Sequence, residues 1–191
     1  MEVKVKSIIN IFTIIDNEIN LLCKDKKNII VDCLDEVESV NKEYLKEHLS
    51  SFDINLNQVY TYSKKDKDSL NIYILYCDII KYKDFKLNGY TFIPISKLEK
   101  NISYEKSMEY LKNTIVLNSV IKKIYYEEFS LPEIQKLYEE LLNKKFDRRN
   151  FRKKLIKLDV IDELDKTVSV SSGRPAKVYK FKEIKENKVL F

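Results

Sequence analysis

Hydrophobic positions recur along the chain with two different periods, and each change of period marks a new element. Val3 to Ile15 and Glu18 to Cys23 are β-rich runs on either side of Asp16-Asn17, a turn dipeptide. Ile29 to Cys33 gives a short third strand. Asp35 to Leu49 switches to helical spacing, with Val37, Val40, Tyr44 and Leu45 on one face. Leu56 to Tyr62 and Leu70 to Ile80 return to strand, joined by the polar stretch Lys64 to Ser69. In the second of these, Leu70, Ile72, Ile74 and Tyr76 point one way and Tyr73, Leu75 and Cys77 the other. Apolar positions on both sides predict a central strand covered on both faces. Asn88-Gly89 opens another short strand, Tyr90 to Ile95, which Pro94 limits. Helical stretches follow over Tyr104 to Lys112 and Val116 to Glu127.

The pattern is sharpest in the last third. Ser130-Leu131-Pro132-Glu133 is a capping box with proline in the first turn, which predicts a helix start. Ile134, Leu137, Tyr138, Leu141 and Leu142 then supply one apolar face. After Asn143 to Phe146, Asp147 is a favourable N-cap for a second helix, Arg148 to Leu158. At about 100° per residue, Phe151, Leu155 and Leu158 share one side and must face inward. Arg149, Lys153 and Lys157 lie opposite, flanked by Arg148 and Arg152. Two β-like segments, Val160 to Val170 and Ala176 to Lys182, enclose the tip Ser171-Ser172-Gly173-Arg174-Pro175. Helix, short connection, basic helix and hairpin is the order of a winged helix-turn-helix, whose second helix enters the major groove with its N-terminal residues at base edges.

Charge supports that reading. Residues 1–118 carry 17 lysines against 18 acidic side chains, whereas residues 119–191 carry 18 basic against 12 acidic. All four arginines, Arg148, Arg149, Arg152 and Arg174, lie in the second part. A planar guanidinium matches phosphate and guanine better than an ammonium does, so a basic, arginine-bearing C-terminal third is the footprint of nucleic-acid binding. The chain holds only two glycines, Gly89 and Gly173, where average usage of about 7% predicts roughly 13. A P-loop and a dinucleotide fingerprint, which crowd backbone around phosphate with clustered glycines, are thereby excluded. Cys23, Cys33 and Cys77 lack C-x-x-C spacing and are expected as reduced thiols of a cytoplasmic protein. With His48 as the single histidine, no metal site is expected. No apolar run approaches the length of a membrane helix, and the alternating MEVKVKSIINIFTII lacks a signal-peptide cleavage site. The thirteen tyrosines show no repeated stacking pattern that would suggest single-stranded RNA.

Three separate motifs in the C-terminal part keep a familiar spacing: Phe129-Ser130-Leu131 with Leu137-Tyr138-Glu139, the run Asp147-Arg148-Arg149-Asn150-Phe151-Arg152-Lys153-Lys154, and Gly173-Arg174-Pro175. Over roughly residues 127–182 the chain resembles the C-terminal domain of the NrtR family, the Nudix-related transcriptional regulators. The resemblance implies a Nudix-like domain in front, sensing ADP-ribose or a related nucleotide, and a dimer that represses genes of NAD metabolism. Asp35 to Leu49 sits where the Nudix helix belongs. A working Nudix helix carries Arg-Glu-x-x-Glu-Glu, whose carboxylates hold Mg²⁺ against a pyrophosphate. The best register sets Glu43, Tyr44 and Leu45 over Arg-Glu-Leu and Glu47-His48 over the Glu pair, so only Glu47 matches and the flanking glycines are missing. Hydrolysis is not expected.

The chain is therefore expected to be α+β, a Nudix-like mixed α/β/α sandwich over residues 1–118 followed by a winged helix-turn-helix over 119–191. The expected function is sequence-specific binding of double-stranded DNA by a homodimer, without cofactor, membrane or catalytic residues. Arg149 and Lys153 are the candidates for base edges, Asn150 sits in the first turn of the recognition helix, and Arg148, Arg152, Lys157, Arg174 and Lys177 are placed for phosphates or wing contacts. The competing readings are a divergent Nudix-type nucleotide pyrophosphatase and a basic protein-interaction module.

Overall fold

The apolar alternation at the N-terminus becomes the spine of a sheet. The structure, a computed structural model, describes residues 1–16, 18–50, 52–81, 89–116, 118–124, 128–169, 175–183 and 188–191. Strands β1 (Glu2–Ile15), β2 (Glu18–Lys24), β3 (Ile29–Cys33), β4 (Asn57–Lys65), β5 (Ser69–Ile79) and β6 (Tyr90–Pro94) form one mixed sheet, in the order β4-β5-β1-β2-β6, with β3 also paired to β1. β1 and β5 are parallel from Glu2↔Ser69 to Phe12↔Ile79, and the other described pairings are antiparallel. A parallel pair is stable when covered on both sides, which is why β5 is apolar on both faces.

Successive side chains of β1 point to opposite faces, and each face is covered by a helix. Ile9 and Ile11 pack with Leu22, Ile29, Leu49, Phe52 and Ile80, a cluster that also takes in Tyr44 and Leu45 of α1 (Val37–His48). On the other face the Asn10 amide donates to the hydroxyls of Ser103 (2.8 Å) and Ser107 (2.9 Å) of α2 (Ile102–Ile115). The result is the expected α/β/α sandwich. The polar loop expected over Lys64 to Ser69 is shorter than its sequence suggests. Pairing with β5 draws Lys64 and Lys65 into β4 as an exposed edge strand, which tolerates polar side chains.

In the last third, α3 (Asn118–Ile124), β7 (Phe129–Ser130), α4 (Leu131–Leu142), α5 (Arg148–Lys157), β8 (Ile161–Val168) and β9 (Ala176–Phe181) build a winged helix. Its small sheet runs β7-β9-β8. β7, two residues long, is invisible to periodicity and exists only because Phe129 and Ser130 pair with Tyr179 and Val178. Ile134, Leu137, Tyr138 and Leu141 of α4 are buried together with Phe151 and Leu155 of α5 and Val178 of β9. The chain divides into two compact units, Met1–Ile15 with Ile19–Tyr110 and Asp16–Glu18 with Leu111–Phe191.

Candidate nucleic-acid interface

The geometry of the helix-turn-helix is fixed by a few polar side chains. The Ser130 N–H donates to Glu133 Oε2 at 2.7 Å, closing the start of α4. Asn143 ends that helix in the left-handed region (φ 47°), a conformation asparagine adopts more readily than most residues. The turn beyond it is gathered by Glu139. Its Oε1 accepts from Phe146 N–H and from the Gln135 amide, both at 2.9 Å, and its Oε2 accepts from Lys145 Nζ at 3.0 Å. Gln135 donates to the Phe146 carbonyl as well, at 2.8 Å. These bonds, led by the one from Gln135, hold the Glu139 carboxyl far down, at about 2. Asp147 then caps α5, its Oδ1 accepting from Asn150 N–H at 2.8 Å.

Beneath α5 lies an aromatic cluster. The ring of Phe151 stacks on Phe191 at 4.8 Å and 6°, while Phe146 and Tyr138 meet Phe191 at 5.0 and 4.7 Å. Tyr138 is fully buried and donates its hydroxyl to the Ile115 carbonyl at 2.9 Å. The C-terminal residues carried no periodic signal, so the part played by Phe191 was not legible in the sequence.

With Phe151 and Leu155 turned inward, the rest of α5 faces solvent. Arg148, Arg149, Asn150, Arg152, Lys153 and Lys157 are all exposed. Among the described residues, Arg148, Arg149, Lys153 and Lys157 have no acidic partner within ion-pair distance. Arg152 differs, and so does Lys177 on β9. Both reach Glu163 of β8: Arg152 Nη2 lies 3.3 Å from Oε2, and Lys177 Nζ pairs with Oε1. The Tyr179 hydroxyl donates to the same carboxylate at 3.0 Å. Lys177, with Tyr179, holds the Glu163 carboxyl below its ordinary range. The structure thus brings two of the expected DNA contacts together through an acidic residue that sequence reasoning did not single out. Arg174, at the expected wing tip, lies outside the described residues.

The N-terminal sandwich carries a different chemistry at the Nudix-helix positions. Tyr44 OH and Tyr90 OH are 2.5 Å apart, His48 packs on Tyr44 at 4.7 Å, and Lys24 Nζ sits 5.9 and 5.7 Å from the two tyrosine rings. Burial, then the bond to Tyr90, pushes the Tyr44 hydroxyl well above its ordinary range. Where a working helix would converge carboxylates on a hard cation, α1 places Tyr44 and His48, which meet Tyr90 of β6 and Lys24 of β2. On the neighbouring face of α1 a cleft of about 350 Å³ is lined by Glu38, Asn41, Leu45, Gln58 and Tyr76 among others. Asn41 is almost completely buried, and among the described residues neither its amide nitrogen nor its oxygen has a hydrogen-bond partner. No helix among the described residues is long and apolar enough to cross a membrane.

A mixed α/β/α sandwich followed by a helix-turn-helix with a β wing places the chain among proteins that join a Nudix-like domain to a winged helix. Residues 124–181 match the family model for the NrtR DNA-binding winged helix domain, so the resemblance seen in the C-terminal motifs holds. The whole chain is similar in fold to Shewanella oneidensis NrtR complexed with a 27mer DNA, with a TM-score of 0.69, 18% identity and 93% of each chain covered. It is also similar to Shewanella oneidensis NrtR alone, with a TM-score of 0.68, 19% identity and coverage of 93% of this chain and 94% of that one. A MutT/nudix family protein from Enterococcus faecalis matches with a TM-score of 0.57, 13% identity and coverage of 95% and 89%. No curated protein sequence matches the chain.

Proposed function

We propose that this chain is a sequence-specific, double-stranded DNA-binding transcriptional regulator. Residues 119–191 form the DNA-binding domain and residues 1–118 a sensing domain that does not hydrolyse its ligand. The observation that carries the reading is the exposed row Arg149, Lys153 and Lys157 on α5, opposite the buried Phe151 and Leu155. In this role Arg149 and Lys153 read base edges, while Arg148, Arg152, Lys157, Lys177 and Arg174 meet phosphates or the groove beside the wing. Asn150 completes the first turn of the recognition helix. By analogy with the NrtR family, the protein acts in the cytoplasm as a homodimeric repressor of NAD-metabolism genes. Its effector is a small nucleotide such as ADP-ribose, for which the Asn41 cleft is a fitting receptor.

Phosphate contacts make such binding salt-dependent. Binding of the chain to DNA from its own upstream region tests the reading, with Arg149→Ala as the diagnostic variant. The loss expected is about 1–3 kcal/mol, with relaxed selectivity at one position. Unchanged affinity and selectivity would remove α5 as the recognition helix. The absence of metal-ligand carboxylates at Tyr44 and His48 argues against pyrophosphatase activity, and sustained turnover of ADP-ribose with Mg²⁺, lost in Glu47→Gln, would reverse that conclusion.

A further inference from the structure

Glu163 shares β8 with two other acidic residues, Asp162 and Asp165, and its position is specific: Asp162 pairs with Lys182, whereas Glu163 meets the cations of α5 and the wing strand. It faces Tyr179 in the β8–β9 ladder at the last regular pair before the register shifts. One carboxylate oxygen meets Arg152 from the recognition helix, and the other meets Lys177 from the wing strand. All three side chains remain about half exposed. Exposed ion pairs of this kind are weak and exchange readily with other anions. A carboxylate with two donors on one oxygen and one on the other is also a fair imitation of a phosphate between a guanidinium and an ammonium.

We propose that Glu163 is an internal stand-in for a DNA phosphate and a specificity-determining residue of this interface, an inference that rests on the DNA-binding reading above. In the free protein it occupies Arg152 and Lys177, so the helix and the wing present two cations with half their charge neutralised to passing DNA. An arbitrary duplex, held only by charge, gains little by displacing it. A duplex that also satisfies Arg149 and Lys153 at base edges is held in place long enough to take both cations over. The carboxylate thereby lowers affinity for all DNA and lowers it most where charge is the sole attraction.

The test is titration of a labelled 30-base-pair duplex of mixed sequence with the full chain between 50 and 200 mM KCl, followed by fluorescence anisotropy. Glu163→Gln keeps the shape of the side chain and an acceptor for Tyr179. It should bind this duplex several-fold tighter at 100 mM salt. Its slope of log K against log salt should steepen by about 0.9 for each phosphate contact released, so that the affinity ratio between 50 and 200 mM widens about 3.5-fold per contact. In an Arg152→Gln/Lys177→Gln background the same substitution should change nothing. Glu163→Thr, suited to an exposed strand, repeats the measurement if the glutamine variant melts early. The inference is overturned if wild type binds and Glu163→Gln binds equally or more weakly. It is also overturned if the substitution tightens binding by the same factor in the double-variant background, which would reveal a bulk charge effect. Wild-type protein with no salt-dependent binding to any duplex would instead overturn the DNA-binding reading, and this inference with it.

Discussion

Replacing Glu139 with glutamine tests whether a single carboxylate fastens the turn that aims α5. Glu139 receives two bonds from neutral donors, Phe146 N–H and the Gln135 amide, and one from Lys145, whose side chain is 91% exposed. Hydrogen bonds to a charged group contribute about 1.5–3 kcal/mol each, and the exposed lysine adds little. Both neutral donors meet the same oxygen, Oε1, so glutamine can keep both bonds, but as bonds to a neutral acceptor each contributes only about 0.5–1.5 kcal/mol, and the expected loss is about 1.5–3 kcal/mol. At roughly 2–4 °C per kcal/mol for a chain of this size, Tm falls by about 3–12 °C. The pH dependence is a second, independent reading. The folded carboxyl is held at about 2, below its ordinary 4.5. A depressed folded pKa stabilises the protein above the unfolded value, and that stabilisation is lost as the pH falls from about 4.5 towards 2. The difference in stability between wild type and Glu139→Gln should therefore be constant near neutrality and shrink steadily between pH 4.5 and pH 2.5. Thermal melts in matched buffers measure both. A variant that melts within a degree of wild type at pH 7, or a difference as large at pH 2.5 as at pH 7, would refute the role assigned to this carboxylate.

Asn41→Leu should raise Tm by a few degrees in the absence of ligand, because a buried amide without partners costs about 1–3 kcal/mol per orphaned group. The same variant should lose any stabilisation by added ADP-ribose, and a fall in its Tm would show that Asn41 is structural. Phe191→Ala removes a ring that meets Tyr138, Phe146 and Phe151. It should cost about 2 kcal/mol by chemical denaturation, less than a fully buried phenylalanine. Asp147→Ala should cost about 1 kcal/mol through the lost cap of α5, with Asp147→Asn nearly neutral, and equal losses for both would point to charge and not capping.

The C-terminal third was legible because its signals are local. The capping box at Ser130, the cap at Asp147 and the inward spacing of Phe151 and Leu155 all lie within one or two turns of helix, and each appears in the structure. In the sandwich, the two-sided apolar pattern of β5 correctly announced a covered central strand. What was not legible depends on residues far apart in sequence. β7 exists only as the partner of β9, and Phe191 matters only because the chain returns to the helix pair. Glu163 gains its meaning from Arg152, 11 residues before it, and Lys177, 14 residues after it. Asn41 is one more polar position in the helical spacing of α1, and its burial without a hydrogen-bond partner among the described residues cannot be read from spacing.

The parallel pairing of β1 with β5 has a consequence for how the chain is made. Glu2 finds its partner in Ser69, 67 residues later. At a synthesis rate of roughly 5–20 residues per second, that edge of β1 waits about 3–13 s for its neighbour to be translated. β2 and β3 follow at once and cover the opposite edge, so the nascent sheet exposes one long, isoleucine-rich border during that interval. Conditions that slow translation lengthen the exposure, and a chaperone that binds extended apolar segments has its target in Ile8 to Phe12.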